Sequence, residues 1–254
     1  MVVDLLGRFN RTIARIAPVK SAPYAPRGPM VSITFDDFPK SAWTNARPVL
    51  ERHDALATYY VAGRFCGIRE KGLEYYDRSD LSQLAAAGHE IGCHTFSHIH
   101  VPRMTNGEFR ADCALNARFL APHLAGRVIE SFAYPYGDVS VRAKMLAARR
   151  FVTARGIHPQ VNASPLDLAL LASMPLESRS WSIGEWRRLV SEAAQNNVWL
   201  TLFVHDVSEE PTRHGCTPDM LDLTLRTARD QGLAILTVGA AAARLLARPL
   251  AKAA

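Results

Sequence analysis

Hydrophobic positions along this chain follow two alternating rhythms. Short runs rich in β-branched and aromatic residues fall at Val31–Phe35, Ala57–Val61, Glu90–Cys93, Ser131–Tyr134, Phe151–Ala154, Val198–Val204 and Leu233–Val238, and they predict strands. Between them, Asn45–Arg52, Asp80–Ala87, Gly107–Leu120, Val141–Arg150, Ile183–Asn196, Pro218–Gln231 and Ala240–Ala247 read as helices. Gly88, Gly126 and Gly232 stand where helices should stop. Leu168–Leu176 is apolar without a readable period and is left unassigned. Strands alternating with helices predict parallel βαβ units, and seven or eight of them suit an α/β barrel better than an open sheet. No internal repeat is visible.

The first thirty residues stand apart from residues 31–254. Val2, Leu5, Leu6, Phe9, Ile13 and Ile16 recur at helical spacing, with Arg8, Arg11 and Arg15 on the other side. Pro18, Pro23, Pro26 and Pro29 make the following stretch a non-helical connector. Two readings of residues 2–16 stand: a first helix packed on the domain with its charges solvated, and a basic helix in peripheral contact with an anionic membrane surface. The first is the plainer. The apolar stretch near Met1 is short, is broken by Asp4 and is followed rather than preceded by basic residues, so no secretory signal is read and a cytoplasmic protein is expected. The membrane reading would place it at the inner face.

Composition narrows the classes. The chain has 254 residues, 48% apolar and 21% charged, which excludes a disordered chain. No uncharged run approaches the 18 apolar residues of a membrane span. The net charge is +6, but residues 1–30 carry five basic residues against one acidic, so the body is nearly neutral and no nucleic-acid partner is expected. Cys66, Cys93, Cys113 and Cys216 show no metal-binding spacing and read as free thiols.

Active sites of parallel α/β folds lie at the carboxyl ends of strands. That rule selects Asp36 and Asp37 after the first strand, His94 and His98 after the third, Pro135–Gly137 after the fourth, and His205 with Asp206 after the strand Val198–Val204. Singly, each has a bland alternative: a solvated helix cap, or hydrogen-bonded loop imidazoles. Together they all follow a predicted strand, which the bland alternative does not explain. A catalytic metal with an open position commonly takes two His and a carboxylate, which His94, His98 and one of the two aspartates supply. Such donors suit Zn²⁺, with Co²⁺ or Ni²⁺ feasible. Adjacent side chains on an extended chain diverge, so one aspartate can ligate while the other takes a proton.

The motifs resemble those of the polysaccharide deacetylase family, the NodB-homology carbohydrate esterases. The first motif stands here as Thr34–Asp37, the second, H-[ST]-x-x-H, as His94–His98, the third, R-x-P-[YF]-G, as Ala133–Gly137, and the fifth, L-x-H, as Phe203–His205. The resemblance implies a distorted (β/α) barrel and a metal-dependent hydrolase that removes N-acetyl groups from an N-acetylated sugar, oligosaccharide or glycoconjugate. It implies Asp36 as catalytic base, Asp37, His94 and His98 as ligands of one divalent ion, the Tyr136 backbone N–H as oxyanion donor and His205 as catalytic acid.

Two departures matter. Ala133 replaces the usual motif Arg, and the fourth, Asp-rich motif is not visible. Arg155, ending the fifth strand, is the candidate substitute for the Arg, and Asp167 a guess for the Asp. Trp43, just past the first motif, could stack on a sugar beside Tyr136, although a core position is the plainer reading. His89 and His100 read as bystanders. The departures keep open a deformylase or amidase acting on a lipid-linked sugar or small molecule, and the basic N-terminus favours the lipid. A catalytically inactive sugar-binding barrel is the remaining alternative. Oligomeric state is not readable.

Overall fold

The computed structural model describes residues 11–23 and 28–247. The central strand β1 (Met30–Asp36) is buried along its whole length. β9 (Trp199–Val204) runs parallel to it from Met30↔Trp199 to Phe35↔Val204. The other edge of β1 is shared by β10 (Ala234–Ile235) at its start and β2 (Thr58–Val61) at its end. From β2 the sheet continues through β5 (Glu90–Cys93), β6 (Ser131–Ala133) and β7 (Thr153–Arg155), all parallel, and β8 (Met174–Pro175) lies outside β9. This is the expected distorted barrel.

The unassigned apolar run Leu168–Leu176 closes its gap. Leu171 N–H donates to Ala154 C=O at 2.7 Å on the β7 side, and β8 pairs with β9 on the other. Its period was unreadable because it changes neighbours halfway.

Helices α1 (Ser41–Thr44) and α2 (Arg47–Arg52) replace the single expected helix Asn45–Arg52, with Pro48 in the first turn of α2, where its missing N–H costs nothing. α3 (Arg78–Ala86), α4 (Asn106–Leu120) and α6 (Ile183–Gln195) each begin with a reciprocal capping box: Asp77 with Asp80, Thr105 with Glu108, and Ser182 with Glu185. α5 (Val141–Ala148), α7 (Pro218–Asp230) and α8 (Val238–Leu246) start at hydroxyl caps. A short hairpin, β3 (Arg69–Glu70) with β4 (Leu73–Glu74), was not expected. It turns on Lys71 and Gly72, both with positive φ, and its strands are too short and too charged to show a pattern.

Residues 11–16 are helical. Ala14 is fully buried in the cluster that holds Phe132, Tyr134 and Phe151. The buried Lys144 ammonium donates to the carbonyls of Ala14 and Ala17, each at 2.6 Å, and pairs with Asp167 at 2.7 Å. Asp167 also accepts from the N–H groups of Val19 and Lys20. Residues 2–10 of the expected basic amphipathic helix at residues 2–16 lie outside the described residues. Among the described residues no helix is long and apolar enough to cross a membrane.

His89 occupies the amino end of β5, away from the strand ends that carry the candidate chemistry. Its Nδ1 accepts from Ala57 N–H at 3.1 Å, and Trp43 and Tyr59 meet its ring edge-on. Burial pushes its pKa down to about 4. An unfolded chain protonates it near ~6.5, so its contribution to stability is complete above that pH and is lost as pH falls towards about 4. Urea unfolding at pH 7 and pH 5 should show His89→Gln losing on the order of 1–2 kcal/mol less than wild type over that interval. Equal losses would remove His89 as a source of acid sensitivity.

Candidate active site

The carboxyl end of β1 delivers two carboxylates in opposite directions. Asp36 still belongs to the strand and is 3% exposed. Asp37 has φ 60°, and Phe38 N–H donates back to Asp36 C=O at 2.6 Å, so the chain turns sharply at Asp37. Left-handed backbone at a non-glycine residue is strained. Phe38, next along and fully buried, anchors the turn by stacking on Tyr76 and meeting Tyr59 edge-on.

Asp36 faces Arg155. The guanidinium Nη2 donates to Asp36 Oδ1 at 2.5 Å, and Nη1 donates to Gly156 C=O and Ser173 Oγ. Arg155 is 1% exposed and lies over the rings of Tyr60 and Phe203. Gly92 makes room for this arrangement, since a Cβ there would meet the Tyr60 ring at 2.5 Å. Arg155 is the direct parallel-strand partner of Ala133. The cation therefore enters from the strand beside the one on which the third motif usually carries it. Burial alone would raise the Asp36 pKa, but Arg155, with smaller contributions from His94 and His205, holds it below the usual carboxylate range.

Asp37 faces two imidazoles. Its Oδ1 lies 3.5 Å from His94 Nε2 and 3.1 Å from His98 Nε2, yet it is buried and accepts no hydrogen bond. Burial, with Asp36 adding to it, pushes its carboxyl up to about 8. His94 Nδ1 lies 2.8 Å from Ala133 C=O, a contact that places the proton on Nδ1 and leaves the Nε2 lone pair facing Asp37. The loop between the two His is pinned by Asp112 of α4, which accepts from Phe96 N–H, Ser97 N–H and Ser97 Oγ. Burial pushes the His94 pKa down to about 4 and that of His98 further down, so both rings are neutral donors. One ligand atom from each of Asp37, His94 and His98 falls within 4.8 Å of the others. An orphaned carboxylate oxygen between two neutral imidazoles fits a divalent cation.

His205 follows β9, with Nε2 3.9 Å from Asp37 Oδ2. Its Nδ1 is buried without a partner, and burial lowers its pKa. Asp167, the guessed substitute for the fourth-motif Asp, is engaged by Lys144 and three backbone N–H groups and does not serve His205. Instead the His214 ring stands 5.4 Å from that of His205, with His214 Nδ1 2.8 Å from Glu177. Sequence reasoning missed this pair because Glu177 follows β8, just past the run left unassigned. Tyr136, in the turn after β6, has φ 60° and is 55% exposed, and its ring lies 4.5 Å from that of His98.

Trp43 is corrected. It is 3% exposed in the core on α1 and packs on His89, so it offers no face to a ligand. Its large apolar ring is better satisfied inside than at the rim. Cys216 is likewise fully buried, and its thiol is pushed up to about 12 by burial.

Known proteins resemble the chain in sequence and in fold. The family model described as polysaccharide deacetylase matches residues 24–153, a span that includes Asp36, Asp37, His94, His98 and Tyr136. A chitooligosaccharide deacetylase of Azorhizobium caulinodans is 29% identical over 210 residues, 81% of this chain and 84% of the relative. Among solved structures, a T48 deacetylase with substrate aligns with TM-score 0.59 and 17% identity over 85% of this chain and 92% of its own. A family 4 acetyl xylan esterase from Clostridium thermocellum in complex with a cobalt ion aligns with TM-score 0.54 and 21% identity, over 84% of this chain and 89% of its own. At these identities the two structures share the fold.

Because Arg155 and Asp36 are both buried, removing one strands the other. Arg155→Ala should cost about 3–5 kcal/mol in urea unfolding, and Asp36→Asn in the same chain should return part of it. A loss below ~1 kcal/mol would mean that solvent reaches and neutralises the pair.

Proposed function

The chain belongs to the polysaccharide deacetylase family, and on that premise we propose that it is a hydrolase of amide bonds other than peptide bonds that removes N-acetyl groups from an N-acetylated sugar, oligosaccharide or glycoconjugate. The proposed catalytic domain spans residues 31–254, preceded by a basic and proline-rich segment at residues 1–30.

The observation that carries this reading is the divergence of two neighbouring carboxylates. Asp36 is held ionised by Arg155, whereas Asp37 is raised and aimed between His94 and His98. Environments that push paired titratable groups apart assign them different tasks. Asp37, His94 and His98 would hold one divalent ion, most simply Zn²⁺, with Co²⁺ or Ni²⁺ also suited to these donors. When bound there, such an ion supplies Lewis acidity and makes a coordinated water more acidic.

The chain's own groups do the rest. Asp36, kept anionic and oriented by Arg155, accepts the proton of the attacking water. The Tyr136 N–H donates to the carbonyl oxygen as it gains charge. His205, which lies beside Asp37 and whose protonated form the Asp36 charge favours against burial, gives a proton to the departing amine. The position of Arg155 supports an active site despite Ala133, and so weighs against the inactive sugar-binding reading. A formyl group would be cleaved by the same residues, and acetate against formate release separates the two.

Elemental analysis of untagged protein should find about one transition metal per chain and a loss of most of it in His94→Ala. Wild type with no metal after incubation with Zn²⁺ would refute the site. On N-acetylated chitooligosaccharides, Asp36→Asn should retain metal while acetate release falls ~10²–10⁴-fold. Near-wild-type release would remove Asp36 as the base.

A further inference from the structure

The turn that carries Tyr136 is strained, and Tyr136 is its one exposed residue. Tyr136 and Gly137 are successive residues with positive φ, 60° and 59°, and Tyr136 is about half exposed. Left-handed backbone at a bulky residue persists only when its surroundings over-determine it. On one side the constraint is steric, since a Cβ at Gly137 would lie 2.1 Å from Ile157 Cγ1.

On the other side a side-chain ring closes on the turn. The His100 imidazole lies flat on Tyr136, with centroids 4.1 Å apart and planes 13° from parallel. Its Nδ1 lies 3.0 Å from Oδ2 of Asp138, which is only two residues past Tyr136. The carboxylate thus grips the imidazole that covers the tyrosine of its own turn. Asp138 Oδ1 in turn faces Arg11 of the N-terminal helical segment, 3.6 Å from Nη1. His100 is held from behind, because its carbonyl accepts from Arg103 N–H at 2.9 Å.

We propose that Asp138 is a positioning residue: through His100 it holds Tyr136 in the left-handed conformation that aims its backbone N–H at the reacting amide. The proposal rests on the deacetylase reading for the role of that N–H, whereas the clamp itself is a property of the turn. Arg11 is the outer fastening, and a half-exposed ion pair at that distance contributes little.

The test compares Asp138→Ala, which removes the acceptor, with Asp138→Asn, whose amide oxygen can still accept from His100. Hydrogen exchange is read at the Gly137 amide, which donates to Tyr134 C=O at 2.8 Å inside the turn. In Asp138→Ala this exchange should quicken by about tenfold or more. The same variant should lose about tenfold or more in kcat for acetate release, with KM within about twofold and metal content unchanged. Asp138→Asn should restore both readouts to within about threefold of wild type. His100→Leu, which removes the stack by another route, should reproduce the Asp138→Ala exchange and guards against misfolding of that variant.

Unchanged Gly137 exchange in both Asp138→Ala and His100→Leu overturns the clamp. So does an Asn variant as impaired as the Ala variant, or a kcat loss that tracks lost metal. A wild type that releases no acyl group from any N-acylated sugar defeats the deacetylase reading instead, and the exchange data still judge the clamp.

Discussion

The buried pair of Asp36 and Arg155 is the constraint on which the mouth of this barrel depends. A carboxylate 3% exposed at the end of the central strand would be neutral without a partner. With Arg155 at 2.5 Å it is ionised, and its charge then acts on everything around it. It helps raise Asp37, one residue along, and its charge acts on His94 and His205, favouring their protonated forms against burial. The packing beneath the pair serves the same end, since Gly92 admits the Tyr60 ring and Tyr60 lies under the guanidinium. Removing the cation would therefore alter two carboxylates and two imidazoles.

The mouth is built from strained turns held by satisfied ones. Asp37, Thr95, His98 and Tyr136 all have positive φ without being glycine. Each is braced by a group outside the chemistry: Phe38 in its aromatic pocket, Asp112 on the loop between the histidines, and Ile157 and His100 on the Tyr136 turn. Strain of this kind is stable only where neighbours over-determine it. The helices supply those neighbours. Asp112 can pin the loop because α4 is rigid and capped, and Lys144 on α5 seats the N-terminal segment against the same side of the barrel.

Much of the fold was legible because parallel strands buried on both faces read as short continuous apolar runs, and capped amphipathic helices read as periodic ones. β1, β2, β5, β6 and β9 fall within a residue or two of their expected limits. The failures share a cause. The β3–β4 hairpin and β8 are two residues per strand, too short to carry a period. Trp43 sits one loop from the site in sequence but points to the core, a choice made by the helix it stands on. Asp167 is a candidate for the mouth by sequence, yet Lys144 and the backbone around residue 20 claim it, the backbone donors lying more than a hundred residues away along the chain.

Residue types and their places after strands were settled by local sequence alone: two adjacent carboxylates, an H-x₃-H pair, a Pro–Tyr–Gly turn and a late histidine, each following a run that could only be a buried strand. Local chemistry is enough for that, because side-chain donors and backbone preferences act over a few residues. What the tertiary structure alone decided is which partner each group meets. Ala133 and Arg155 become neighbours through strand register, and Arg155 meets Asp36 across a separation of 119 residues. Register is set by the packing of the whole sheet, so no local pattern reveals that the cation missing from one strand is supplied by the next.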